Sequence, residues 1–287
     1  MNMTRSVLAA LLLAVVVPAQ ARGAPTPPKK LAEYDTLVAE WTAATKANQE
    51  AMKALMASDA WKEAAAAKDN KKLTELRTAV ARPDVKAFGS RAIALADQYS
   101  GDDSLTVLAY AAANFADKDT AKEVAERVEK NHLKSARLGE VLENAMTLSR
   151  GLGEEEGNNL LDRVIAESPH ALPKAWAMYW QAQTLVGSQR KFQSILDKKD
   201  ASAEDKAKAA EDMAKAKEKA DKLFADAAVL AAGTEHSARI GAPQFEKERL
   251  QIGMQVPDIV SEDVDGVPFK LSEYRGKVVM IDYWGFW

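Results

Sequence analysis

Between Leu31 and Leu250 the chain is a nearly unbroken series of helical patterns, and this limits its architecture more than any other feature. In "LAEYDTLVAEWTAATKANQEAMKALM", Leu31, Tyr34, Leu37, Val38 and Trp41 recur at three- and four-residue spacing, which lays one apolar stripe along a helix that a neighbour has to cover. Pro83 breaks the pattern and "VKAFGSRAIALADQY" resumes it. Ser100-Gly101-Asp102-Asp103-Ser104 reads as a loop before a helix that begins near Leu105, and Asp119 or Thr120 opens the next. The series continues through "SARLGEVLENAMTL", "NNLLDRVIAESPH" and "PKAWAMYWQAQTLV". Alanine, lysine, glutamate and leucine dominate, which together with sparse glycine and proline in the middle favours a mainly α protein.

Three turns in this region look alike: "ADQYSGDDSLTVLAYAA", "VEKNHLKSARLGEVLEN" and "IAESPHALPKAWAMYWQ". Tyr99, His132 and His170 mark corresponding points, 33 and 38 residues apart, within the range of helix-hairpin repeats such as the tetratricopeptide family. The agreement is in period, and it predicts a stacked helical-hairpin solenoid over residues 31–250. The later stretch "SAEDKAKAAEDMAKAKEKADKLFADAAVL" has acids four residues before lysines at Glu204 and Lys208, Glu211 and Lys215, and Glu218 and Lys222. Such pairs support a solvated helix by roughly 0.2–0.5 kcal/mol each. Its apolar residues before Leu223 and Phe224 are mostly alanine, so it reads as a long surface helix with a narrow seam.

Little in the helical region carries chemistry. His132, His170 and His236 lie far apart and none has a second ligand at helical spacing, so no metal is expected; His132 and His170 fall in turns, where capping or surface roles are common. "GLGEEEGNN" from Gly151 to Asn159 lacks the oxygen-ligand order of a calcium loop and reads as a turn with an acidic helix start. Trp176, Tyr179 and Trp180 share one helix as core or groove-lining residues. The net charge of −3 and the mixed signs argue against a nucleic-acid partner.

The N-terminus reads as an export signal. Arg5 supplies a positive n-region, Val7 to Val17 a short apolar core, and Ala19-Gln20-Ala21 a cleavage pattern, which makes residues 1–21 a signal peptide and 22–30 a disordered linker. The expected mature protein is soluble, periplasmic or otherwise extracytoplasmic, and free of the membrane after cleavage. It has no cysteine, so its stability comes from an apolar core and not from disulfides.

After "QFEKERLQIGMQ" the character changes to "VPDIVSEDVDGVPFKLSEYRGKVVMIDYWGFW". Asp265-Gly266 predicts a hairpin turn, Leu271 to Tyr274 a turn of helix ended by Gly276, and Val278 to Tyr283 a strand apolar on both faces. In order and spacing, Ile252-Gly253, Val256-Pro257-Asp258-Ile259, Asp263-Val264-Asp265-Gly266, Leu271-Ser272, Gly276-Lys277-Val278-Val279 and Asp282-Tyr283-Trp284-Gly285-Phe286-Trp287 resemble the opening of the redoxin family. These thioredoxin-fold proteins include peroxiredoxin-like antioxidants and exported thiol-disulfide oxidoreductases. The resemblance covers about the last thirty-six residues, and Val256 departs from the family's alanine.

The resemblance implies that residues 251–287 are the N-terminal fragment of an α/β thioredoxin-like domain. It implies a buried proton acceptor at Asp282, active-site flanking roles for Trp284 and Trp287, no cofactor, and a thiol or disulfide substrate protein. In the family a nucleophilic cysteine follows the tryptophan matched by Trp287, so the chain as given is expected to be inactive. Three explanations stay open: a fragment or frameshifted gene, a selenocysteine codon read as stop, or a genuine scaffold. The alternative function is a non-enzymatic helical-repeat scaffold whose concave face around Trp176 and Trp180 binds another polypeptide.

Overall fold

In the computed structural model, which describes residues 31–282, several helices begin where the sequence offers a side-chain oxygen to otherwise unpaired N–H groups. Helix α1 spans Ala32–Ala57. Ser58 caps α2 (Asp59–Ala66), Asp69 caps α3 (Asn70–Thr78) and Asp84 caps α4 (Val85–Ala96), with Pro83 in the preceding gap. Asp117 caps α6 (Lys118–Arg127) by accepting from the Asp119 and Thr120 amides, so the cap falls two residues before the first position expected to open this helix. The expected signal peptide and linker lie outside the described residues.

Helix α5 corrects the expectation of a loop through Ser104. It runs Gly101–Asn114, with Asp102 and Asp103 in its first turn, where the helix dipole favours acids. Ser104 is buried, and its Oγ donates to the Ala96 carbonyl at 2.9 Å. The polar run is thus the first turn of a helix fastened to the end of α4.

After α6 the chain widens into a π turn over Val128–His132, then a 3-10 turn at Ala136–Leu138. Short α7 (Gly139–Leu142), α8 (Ala145–Leu152), α9 (Glu154–Glu167) and α10 (Ala171–Asp197) follow. Gly153, at φ 95°, separates α8 from α9, whose first turn holds Glu154, Glu155 and Glu156, as the acidic-start reading expects. The main core joins Leu105, Leu108, Phe115, Val124, Leu138, Leu142, Leu148, Leu161 and Trp176, each essentially inaccessible. The predicted α1 stripe packs on it: Trp41 meets Phe115 edge-on at 4.8 Å between ring centroids, and Tyr34 meets Tyr110 at 5.6 Å. Close helix approach is built into Gly151, where an added Cβ would lie 2.5 Å from the Ala121 Cβ and 2.7 Å from the Ala116 carbonyl.

Polar ties link residues about one hairpin apart. Arg127 holds Asp97 through two bonds of 2.7 Å, Ser135 donates to Asp102 at 3.0 Å, and Arg163 donates to Glu129 at 2.8 Å. The His170 Nε2 lies 3.1 Å from the Lys134 carbonyl.

Helix α10 pairs with α11 (Ala203–Ala231) in a long hairpin, each arm about 40 Å at 1.5 Å per residue. The alanine seam is real: Ala209, Ala216, Ala220, Phe224, Ala227 and Ala231 are buried. Of the expected pairs on the outer face, Glu211 and Lys215 meet at 2.5 Å, whereas Lys222 bonds Asp226. Helix α12 (Ser237–Arg249) packs on α11, with Ile240 fully buried. Among the described residues no helix is long and apolar enough to cross a membrane.

Candidate functional site

Beyond α12, small local devices organise the chain. Strands β1 (Val260–Glu262) and β2 (Pro268–Lys270) pair antiparallel, Ser261 opposite Phe269. Their connection is the expected turn: Gly266 takes φ 77°, a region that costs glycine little. The Asp263 carboxylate accepts from the Asp265 and Val267 amides, both at 2.9 Å. A 3-10 turn over Leu271–Tyr274 follows, and Gly276 at φ 84° ends it. The Tyr274 ring packs edge-on to Phe269 and lies beneath the Lys277 ammonium.

Two motif elements fourteen residues apart meet here. The Asp258 carboxylate accepts from the Ser272 hydroxyl at 2.7 Å and from its amide at 2.8 Å, and the Ile259 carbonyl accepts from the Leu271 amide at 2.9 Å. Hydrogen bonds from Ser272 to its charged form hold Asp258 below the ordinary aspartate range. This clasp was not read from the sequence, because a hydrogen bond across a hairpin leaves no periodic trace. The only sequence signal is that each partner sits in a recognisable motif. Beside the clasp a cavity of about 230 Å³ is lined by Val256, Pro257, Asp258, Leu271, Ser272 and Arg275.

The expected strand over Val278–Tyr283 is not formed across the described residues Val278–Asp282, which join no ladder. A strand is stable only when neighbours take its N–H and C=O groups, and the two-stranded sheet of β1 and β2 does not extend to it. Val278 and Met280 are almost wholly exposed. Asp282 is exposed as well, so the burial implied for it is not found here. Tyr283, Trp284 and Trp287 lie outside the described residues.

The helical region holds a second cluster. Trp176 is fully buried, which removes it from any concave binding face; Trp180 is 8% exposed, with its Nε1 donating to the Leu142 carbonyl at 2.6 Å. The Arg239 guanidinium lies 4.9 Å from the Trp176 ring centroid and 5.9 Å from that of Trp180, while His236 Nε2 approaches Glu143 at 3.1 Å. The Arg239 contacts fasten α12 against α10, and His236 ties the start of α12 to the end of α7. His132 corrects the surface expectation: it is 4% exposed, its Nε2 has no hydrogen-bond partner among the described residues, and burial pushes its pKa down against the opposing pull of Asp102. Among the described residues no three His, Cys, Asp or Glu side chains are grouped to hold a metal.

Over a stretch of 42 residues the chain is similar to bacterial thiol-disulfide oxidoreductases. It is 38% identical to thiol-disulfide oxidoreductase ResA of Bacillus thuringiensis (strain Al Hakam), 40% to that of Geobacillus thermodenitrificans (strain NG80-2) and 43% to that of Geobacillus kaustophilus (strain HTA426). Each match covers 15% of this chain and 24% of the relative, so the chain spans about a quarter of the length of these curated relatives. No family model and no solved structure matches the chain. What the comparisons add to the clasped hairpin is therefore a short similarity to thioredoxin-like redox proteins.

Proposed function

We propose that the protein serves extracytoplasmic thiol-disulfide or peroxide chemistry. In this reading residues 1–21 direct export, residues 31–250 form a helical-repeat domain, and residues 251–287 open a thioredoxin-like domain. The observation that supports the reading is the tail's local structure: the hairpin, the 3-10 turn and the Gly276 stop form where their own residues predict them, and the Asp258–Ser272 clasp ties together two motifs that carry the redoxin resemblance. The 42-residue similarity to thiol-disulfide oxidoreductases supports it. Ties between residues 30 to 36 apart support the repeat assignment.

Within this reading Asp282 accepts the proton released as a resolving thiol attacks a mixed disulfide, and Trp284 and Trp287 flank the reacting sulfur. The attacking species in such exchange is a thiolate. The 287 residues hold no cysteine, so in this reading the thiolate is supplied from outside them. The test is to sequence the gene past the Trp287 codon, express the extended product and assay thiol-dependent reduction of insulin disulfides. The expected result is a cysteine or selenocysteine next in frame, with reduction abolished when it is changed to serine. Absence of either residue in every frame, or an inert extended product, overturns the proposal.

A further inference from the structure

Residues of α8, α9 and α10 line an open pocket of about 260 Å³ whose wall includes Trp180 and Met146. Ser149, Gln183 and Thr184 supply polar lining, and Arg150 stands among them. The Trp180 indole is pinned through its Nε1 to the Leu142 carbonyl, so it presents a fixed apolar surface. Arg150 donates to the Met146 sulfur at 3.4 Å, and no carboxylate pairs with it among the described residues. The acid at the rim, Glu154, is engaged by Lys191 at 3.0 Å. This leaves a guanidinium as the uncompensated charge of the cavity.

We infer that this cavity binds the free C-terminal carboxylate and last side chain of a peptide. Its volume lies below the usual range of about 300–1,000 Å³ for drug-sized ligand sites, which suits one apolar residue and not an extended molecule. Arginine suits a carboxylate because its planar fork of donors matches the two oxygens, and the wall of Trp180 and Met146 suits an aliphatic or aromatic side chain. Gln183 lines the same pocket and carries an amide oxygen able to accept from the terminal peptide N–H, whereas the Thr184 hydroxyl donates to the Trp180 carbonyl. The inference is independent of the redox proposal, since it uses no residue beyond α10.

The probes are N-acetyl-leucine and its C-terminal amide, titrated into the full chain and followed by the Trp180 indole signal in a nitrogen-15 correlation spectrum. The acid is expected to bind at least about tenfold more tightly than the amide, as a charge-assisted pair contributes, and to weaken with added salt. Arg150→Gln should abolish that preference while leaving the thermal unfolding curve in place, because Arg150 is exposed. Arg150→Lys should restore part of it by charge alone. Equal affinity for acid and amide, an unmoved Trp180 signal, or an unaltered preference in Arg150→Gln would each overturn the inference.

Discussion

Leu105, Val107 and Leu108 in α5 are fully buried, whereas Val260, Val264 and Val278 in the tail are 68%, 101% and 103% exposed. These are side chains of the same chemical kind, so hydrophobicity alone does not decide burial. In the helical body each apolar stripe meets another on a neighbouring helix, as Trp41 meets Phe115 and Tyr34 meets Tyr110. The tail has turns, a clasp and a short ladder, all closed by local hydrogen bonds, and among the described residues no second layer covers its valines. Local chemistry sets the path of a chain, but only a partner element makes a core.

The largest effect that would break this comparison is in amide exchange. The interior of α5 should exchange at least about a thousandfold more slowly than β1 and β2, because protection there requires near-global opening. Equal protection, read by mass spectrometry on the intact chain, would mean that the tail is covered in solution. Next come truncations: Leu108→Ala should lower stability by about 2–5 kcal/mol in chemical denaturation, while Val260→Ala should change it by less than about 0.5 kcal/mol. A comparable loss at both positions would place Val260 in a core.

Glycine substitutions sharpen the contrast through cause. Gly151→Ala should cost about 1–3 kcal/mol, since its Cβ collides with Ala121 and the Ala116 carbonyl in a packed interface. Gly266→Ala meets open space and is disfavoured only by its positive φ, so it should loosen the β1–β2 turn and leave the melting of the helical body unchanged.

The smallest effect is in acid, where the two regions should respond in sequence. Burial depresses the His132 pKa, so the stability tied to its neutral form is present above about 6.5 and is lost as pH falls through the lower folded value. His132→Gln should flatten the stability curve over that window. Asp258 is also depressed, by its bonds to Ser272; its contribution holds above 3.8 and fades only below that. The Ser272 amide shift should therefore stay constant while the helical body weakens.

What the sequence shows most clearly is what depends on neighbours in the chain. The α1 stripe, the stop at Pro83, the acidic start of α9, the alanine seam of α11 and the Asp265-Gly266 turn all follow from spacing or backbone preference. The start of α5 was missed because Ser100 to Ser104 is polar in composition, and only a bond across to Ala96 turns that run into helix. The core reading of Trp176 holds, and only its place on a concave face does not; the depth of His132 stays hidden in its sequence because burial in a core depends on helices arriving from elsewhere. At the candidate site the motifs were visible, but the clasp was not, and the strand expected from Val278 depends on ladder partners that its own residues cannot supply.

The α10–α11 hairpin has a practical consequence. Its bend, at Lys199 to Ala201, stands past Asp197, about 22 Å along the helix axis from Ala182, the last buried residue of α10. A dye, an affinity tag or a surface tether attached at Asp200 would thus sit on a post, able to report on or immobilise the molecule while leaving its packed interior undisturbed.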